Sequence, residues 1–435
     1  MKTRLERYFE FERLRTNWKT EVLAGATTFV TMAYIVFVNP SILRETGMPF
    51  QAVVAATCFC AAFGSILMGA FARYPIALAP GMGLNAYFTY TVVKGMGIPW
   101  QTALGAVFLS GVAFLLLTLL GVRQLILKAI PQELYAAVAA GIGLFIAMIG
   151  LRNAGIIVPN PATMVGLGNL SDKNTLLAIF GLLVICGLSA WGVRAAMLIG
   201  ILAATAAAAL FGLVAWTPGT YHVTDVAATA GKLDIRAALR VGLLDIVFVF
   251  LFVDLFDNVG TLVGVGKGAG LFDESNNIPR MGRILTADAA ATIVGSLVGT
   301  STVTSYIESA AGVGAGGRSG VTAIVTGLLF LGTLFIAPLA GAIPSAATAP
   351  ALIFVGSLMM SHLGEIAWSD PGAAIPAFLT LITIPLSFSI ANGLAFGFTS
   401  YAVLRIVRGE FRSTHWLVYV LAALFIARFI YLGST

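Results

Sequence analysis

Near-continuous apolar runs of about 17–25 residues follow one another from Glu21 to the end of the chain, separated by short polar breaks. Each is long enough to cross about 30 Å of hydrocarbon as a helix. The pattern predicts spans near 20–40, 51–72, 75–93, 101–121, 131–151, 174–191, 194–216, 239–264, 284–299, 301–317, 320–338, 343–361, 373–389 and 391–408. A further apolar run, about 416–432, either crosses the membrane or lies along it. Two of these spans cannot be regular helices. The third reads Pro75-Ile76-Ala77-Leu78-Ala79-Pro80-Gly81-Met82-Gly83-Leu84-Asn85, with two prolines and two glycines inside nine residues. The tenth opens on a β-branched, hydroxyl-rich stretch, Gly299-Thr300-Ser301-Thr302-Val303-Thr304-Ser305-Tyr306-Ile307-Glu308, and ends in Gly312 to Gly317.

These breaks occupy matching places. Ala129-Ile130-Pro131 opens the fifth span and Ala342-Ile343-Pro344 the twelfth. Seven spans lie between the two copies, and an odd offset inverts the second. The expected fold is therefore an all-α polytopic membrane protein of about fourteen spans in two inverted seven-span repeats. Short extended breaks fall in spans 3 and 10. Broken backbone at that depth is tolerated only where it lines a cavity or is buried in protein. Paired interruptions in the two halves point to a binding site at the midplane. Half-helices starting near Met82 and Thr304 would aim their N-terminal dipoles inward.

Composition agrees: 59% of residues are hydrophobic and 10% charged, against about 25% charged in soluble domains. The net charge of +6 reflects basic loops rather than a nucleic-acid partner. With the N-terminus in the cytoplasm, 17 Lys and Arg fall on that side and 7 on the other, with Arg428 in the last run. The bias supports that orientation, and the expected location is a plasma (inner) membrane. Residues 1–19 lack an apolar stretch and do not read as a cleaved signal. Leu5, Phe9 and Trp18 among Arg4, Arg7, Arg13 and Arg15 suit an amphipathic cytoplasmic helix, and a solvated tail fits equally. The expected division is 20–216 for the first repeat, 217–238 for an extracytoplasmic connection and 239–435 for the second repeat. A homodimer is left open. Cys58, Cys60 and Cys186 lie in apolar runs and form no disulfide or metal pattern.

The chemistry concentrates in Phe252-Val253-Asp254-Leu255-Phe256-Asp257-Asn258-Val259-Gly260-Thr261, inside the eighth span. Asp254, Asp257 and Thr261 share a helix face at i, i+3, i+7. Each charge at a membrane centre costs about 2.5–3.5 kcal/mol on insertion scales. No Lys or Arg lies in the central part of the fourteen spans, so an ion pair lacks a partner. Glu308, followed by small residues, belongs with the two aspartates. Thr302, Thr304 and Ser305 could line the site or cap a half-helix. Asn85 fits a ligand contact or a helix cap equally. Asp245 and Asp288 sit near span starts, where capping suffices, and Thr27 with Thr31 suits helix packing.

Other matches are discounted. Gly312-x-Gly314-x-x-Gly317 lacks a strand–helix context, and Gly264 to Gly270 with Lys267 lacks the ending of a phosphate loop. His222, His362 and His415 fall at span ends or in loops, away from any ligand spacing. No metal and no cofactor is expected. Three carboxylates around one cavity cannot all stay charged, so at least one holds a proton near neutral pH. They suit a neutral solute rich in N–H groups, or a cation, and repel an anion.

Pro80-Gly81-Met82-Gly83-Leu84-Asn85-Ala86, the Phe252-to-Gly264 stretch and Gly299 to Gly317 closely resemble the AzgA-like purine permeases. These belong with the nucleobase–ascorbate and nucleobase–cation symporters. The resemblance runs from about Asn17 to the C-terminus. It implies a core of spans 1–4 and 8–11 against a gate of spans 5–7 and 12–14, moving elevator-fashion. It implies proton-coupled uptake of adenine, guanine or hypoxanthine, with H⁺ favoured over Na⁺. The family's acidic pair falls on Asp254 and Asp257, its tenth-span glutamate on Glu308, and its third-span asparagine on Asn85. Asn258 stands where relatives often carry Thr. On this reading Glu308 and Asp257 bind purine N–H groups and Asp254 carries the proton, roles that could be exchanged. Rival readings are a sulfate-transporter-like anion carrier and an intramembrane enzyme.

Overall fold

The computed structural model describes residues 3–121, 130–214, 223–240, 244–269 and 278–432. Arg123, Lys128, Ala129, His222 and Gly270, and the side chain of Lys267, lie outside the described residues. Among those described, eight helices are long and apolar enough to cross a membrane. Shorter apolar helices run over Ala196–Leu210, Gly320–Ile336, Pro371–Leu386 and Trp416–Ile430. With the Leu244–Ala269 helix of span 8 and the two broken spans, the expected fourteen are all present, followed by the extra helix. Large side chains such as Leu119, Leu183, Leu210, Phe335 and Val407 are exposed around the outside, as lipid-facing surface requires.

The packing repeats with an offset of seven. Span 2 lies against span 11 and span 9 against span 4; span 1 meets span 11 and span 8 meets span 4. In a second group span 5 lies against spans 12 and 13, and span 12 against spans 5 and 6. These are a core and a gate, each built from both repeats. Spans 5 and 12 cross so closely that a Cβ on Gly356 would come within 2.4 Å of the Gly143 carbonyl oxygen.

The two broken spans meet in the core. Leu78–Pro80 and Val303–Ser305 are short strands, paired antiparallel with Leu78 opposite Ser305, Ala79 opposite Thr304 and Pro80 opposite Val303. Gly81 N–H donates to the Thr302 carbonyl at 2.9 Å and Tyr306 N–H to the Ala77 carbonyl at 3.0 Å, extending the ladder at both ends. Each strand's outer edge is closed by one hydroxyl. Ser65 Oγ, on span 2, donates to the Leu78 carbonyl (3.0 Å) and accepts from Leu78 N–H (2.9 Å). Thr292 Oγ1, on span 9, does the same for Val303 at 2.9 and 3.2 Å. Span 3 then continues as a helix from Met82, as expected. Span 10 does not: its helix begins at Ser309 rather than near Thr304. The β-branched Thr302-Val303-Thr304 run takes the extended form that such residues favour.

Two further expectations change. The N-terminal helix covers only Arg4–Tyr8, and the segment after it is neither a solvated tail nor a helix on the membrane surface. Phe9 and Phe11 are buried with Val321, while Glu10 bridges Arg73 at 3.4 Å and Arg280 at 3.2 Å. Asp245 is not a simple cap. It pairs with Arg428 of the extra helix at 2.6 Å, both about one-eighth exposed, and Arg428 also donates to Asn392. Glu21 is fully buried and accepts from the Arg318 and Ser319 amides and from the hydroxyls of Thr16 and Thr322, binding the start of span 1 to that of span 11.

The symmetry of the edge hydroxyls makes a prediction. Ser65→Ala and Thr292→Val each leave one strand N–H and one carbonyl unpaired in the interior, at about 1–3 kcal/mol per group. The two variants should lower the thermal unfolding midpoint of the detergent-solubilised protein by similar amounts. A neutral effect of either would show that the strand edge has another partner.

Candidate functional site

A cavity of about 90 Å³ opens beside the paired strands, room for several waters. The core supplies Tyr34, Gly81, Met82, Gly83, Phe256, Asp257, Thr261 and the run Thr304 to Glu308. The gate supplies Ala139, Ile142 and Ile146 from span 5, and Val355, Met359 and His362 from span 12. No Lys or Arg is among these lining residues.

Span 1 is broken at Ala33-Tyr34, between helices Trp18–Met32 and Ile35–Leu43. That break presents Tyr34, whose Oη donates to Glu308 Oε1 at 2.7 Å. Tyr34 is 1% exposed, so its hydroxyl fixes the Glu308 carboxylate from behind. Gly81 keeps the opposite wall open: a Cβ there would stand 2.9 Å from Thr304 Cγ2 and 3.5 Å from Asp257 Oδ2. Tyr306 Oη donates to the Pro80 carbonyl, which anchors the turn that carries Glu308.

The Thr304 and Ser305 hydroxyls are buried without a hydrogen-bond partner among the described residues. Buried hydroxyls without partners are costly, and here both border a cavity. The unpaired Thr302 hydroxyl is buried as well but lies outside the lining. Asp254 is 2% exposed, one turn before Asp257, and also outside the lining.

Asn85 lies elsewhere. It is fully buried, its Nδ2 donates to Asn39 Oδ1 at 2.5 Å, and its Oδ1 accepts from Ser301 Oγ. Asn39 in turn donates to Thr57 (2.8 Å) and Thr300 (3.1 Å). The expectation that Asn85 closes the site from span 3 is therefore corrected: its amide is consumed in a network joining spans 1, 2, 3 and 10. The sequence reading also missed polar lining residues, Tyr34, Tyr306 and His362 among them. Tyr34 sits in a break marked by no Pro or Gly. His362 was set aside as a span-end residue, yet a tighter helix over Met360–Glu365 carries span 12 on past it.

One face of the core–gate boundary is closed. Tyr90 from span 3 donates to Glu45 at 2.8 Å and accepts from Asn153 of span 5 at 3.3 Å. Thr91 donates to the Phe388 carbonyl at 2.5 Å, and Arg152 stacks over Tyr90 with 4.9 Å to the ring centroid.

Comparison with known proteins places this architecture among permeases. A family model described as "Permease family" (Xan_ur_permease) matches residues 19–396. A Methanocaldococcus jannaschii protein described only as a permease is 53% identical over 431 residues, covering 99% of both chains. The adenine permease AdeP of Escherichia coli is 46% identical over 437 residues, covering 99% of this chain and 97% of its own. The guanine/hypoxanthine permease PbuG of Bacillus subtilis is 47% identical over 440 residues, covering 98% and 100%. Among solved structures, the transmembrane domain of the cyanobacterial bicarbonate transporter BicA superposes with a TM-score of 0.67. It shares 15% identity and covers 85% of this chain and 96% of that one. At that identity the likeness speaks for the inverted-repeat fold alone.

Asn85 and Tyr34 should separate in a stability assay. Asn85→Ala strands two buried partners and should cost about 2–4 kcal/mol of unfolding free energy, read as a large loss of thermal stability. Tyr34→Phe removes one hydroxyl beside the cavity and should move the unfolding midpoint far less. The reverse order would put Asn85, not Tyr34, at the cavity.

Proposed function

The chain belongs to the Xan_ur_permease family, an integral membrane permease family, and from that premise we propose that it imports purine nucleobases by proton symport. Adenine, guanine and hypoxanthine are the candidate substrates, in keeping with the names of AdeP and PbuG. The observation that carries the reading is the group of carboxylates and open hydroxyls at the cavity, Asp257, Glu308, Thr304 and Ser305, with no Lys or Arg among the described lining residues. A planar ring rich in N–H groups donates to the two carboxylates. Its ring nitrogens or carbonyl accept from the two free hydroxyls. Phe256 and Tyr306 supply apolar faces beside it.

Two carboxylates around one cavity repel each other, so a proton on one of them lowers the cost of holding both. That links occupancy to the proton gradient. We assign substrate binding to Asp257 and Glu308. The coupled proton goes to the Asp254–Asp257 pair, where Asp254 lies shielded one turn away. H⁺ is preferred to Na⁺ as the coupling ion.

We further propose that the core carries the site past the gate. The gate wall is mostly small and aliphatic, a surface that can slide without breaking polar pairs. The closed face around Tyr90, Asn153, Arg152 and Phe388 would be extracytoplasmic, and the His362 face cytoplasmic, with the N-terminus in the cytoplasm of an inner-membrane protein. An anion carrier is disfavoured because an anion would face two carboxylates, with no Lys or Arg among the described lining residues. An intramembrane enzyme would release an altered product, whereas a transporter returns its solute unchanged.

Proteoliposomes should accumulate labelled purine only under an inward proton gradient, and a protonophore should abolish accumulation. Uptake indifferent to that gradient, or following Na⁺ instead, would refute the coupling. Asp257→Ala and Glu308→Ala should each abolish measurable purine binding. Unchanged affinity in both would remove the assigned site.

A further inference from the structure

The gate side of the cavity is chemically one-sided. Ala139, Ile142, Ile146, Val355 and Met359 offer it only carbon and sulfur, and His362 is the polar side chain that the gate adds among the described lining residues. Its imidazole is held rather than loose. His362 Nδ1 lies 3.1 Å from Glu365 Oε1, and the other oxygen of Glu365 accepts from Gln132 Nε2 of span 5 at 3.2 Å. The His362 side chain is 19% exposed. A carboxylate on Nδ1 selects the tautomer with its proton there. In the neutral imidazole so arranged, Nε2 is the acceptor that faces away from Glu365.

We infer that His362 is the gate's own contact with the transported nucleobase, accepting an N–H of the base at Nε2 in the conformation seen here. The inference rests on the nucleobase reading and deepens it. Asp257 and Glu308 travel with the core and hold the base in every conformation. His362 belongs to the gate, so core movement breaks its contact. A contact made in one conformation favours that conformation when substrate is bound. His362 thus retains the base at this mouth and sets how readily it leaves there.

The chain contains three histidines, His222, His362 and His415, so ¹⁵N-histidine labelling of the full-length protein yields a spectrum with three imidazoles. Titration with adenine, guanine and hypoxanthine should move the Nε2 resonance of one of them. That resonance should be missing from His362→Gln and should saturate along the same curve as Asp257-dependent binding. Glu365→Gln should shift it before any purine is added. His362→Ala should weaken binding about tenfold, the loss of one good hydrogen bond. If a purine binds, Asp257→Asn abolishes that binding and no imidazole moves, the role of His362 is overturned while the nucleobase reading stands. If none of the three purines binds the wild-type protein, the nucleobase reading fails and this inference fails with it.

Discussion

Peptide groups removed from the helical ladder have no water to turn to at the centre of a bilayer, and the structure is arranged around that requirement. Spans 3 and 10 both leave the helix at mid-depth. They satisfy each other across the Leu78–Pro80 and Val303–Ser305 pairing. Two strands still have two outer edges, and Ser65 and Thr292 close these with one hydroxyl each, both donating and accepting. Those hydroxyls come from spans 2 and 9, which correspond in the two repeats. Asn39, Asn85, Thr300 and Ser301 then join the first, third and tenth spans just beside the strands. An open backbone beside a cavity is possible because every other edge of it is sealed.

That arrangement divides labour between the two bodies of the protein. The core carries most of the polar side chains that line the cavity, beside the broken backbone that it holds. The gate presents Ala139, Ile142 and Val355, side chains that lose little when a neighbour slides past. Polar contacts between core and gate gather at the far face, around Tyr90, Thr91, Asn153 and Phe388. On the proposed movement of core past gate, such bonds, lying near the span ends, can be exchanged for water as that face opens. Were core to move past gate as proposed, polar contacts of the same kind at mid-depth would leave unpaired groups in a dry interior, at several kcal/mol each.

The span count, the inverted repeat and the breaks were legible in the sequence because hydropathy, prolines and β-branched runs act locally. Asp257 and Glu308 were legible through the cost of burying charge without a partner. The sequence reading misplaced Asn85, because the break in span 3 and the resemblance that brought it in cannot tell a ligand contact from a protein partner. Asn39 lies 46 residues away and Ser301 lies 216 away, and no local pattern joins them. It also overlooked the partner of Asp245. The search for buried cations covered fourteen spans, whereas Arg428 stands on the helix after them. His362 was lost at a boundary: hydropathy ends span 12 near residue 361, while the chain keeps turning to Glu365. Leu5, Phe9 and Trp18 suggested a membrane-surface helix because a sequence does not reveal that span 11 offers Phe9 and Phe11 a dry seat.

The scaffold is two-fold but the chemistry is not, and the strand register explains why. The first-repeat strand offers Leu78, Ala79 and Pro80 opposite Ser305, Thr304 and Val303. The residues after it, Gly81, Met82 and Gly83, hold the same place as Tyr306, Ile307 and Glu308 after the other strand. A symmetric site would put a second carboxylate near Gly83, across a strand pair a few ångströms wide. With Asp257 already present, three like charges would crowd one small cavity, and each addition raises the cost of the last. The first repeat instead withdraws its side chains: Gly81 leaves room beside Asp257 and Thr304, and Tyr34 lends a hydroxyl to Glu308. One repeat therefore supplies space and a donor, the other supplies the acids. The symmetry is kept in the backbone, where each broken span needs the other as its partner, and abandoned in the side chains, where it would be repulsive.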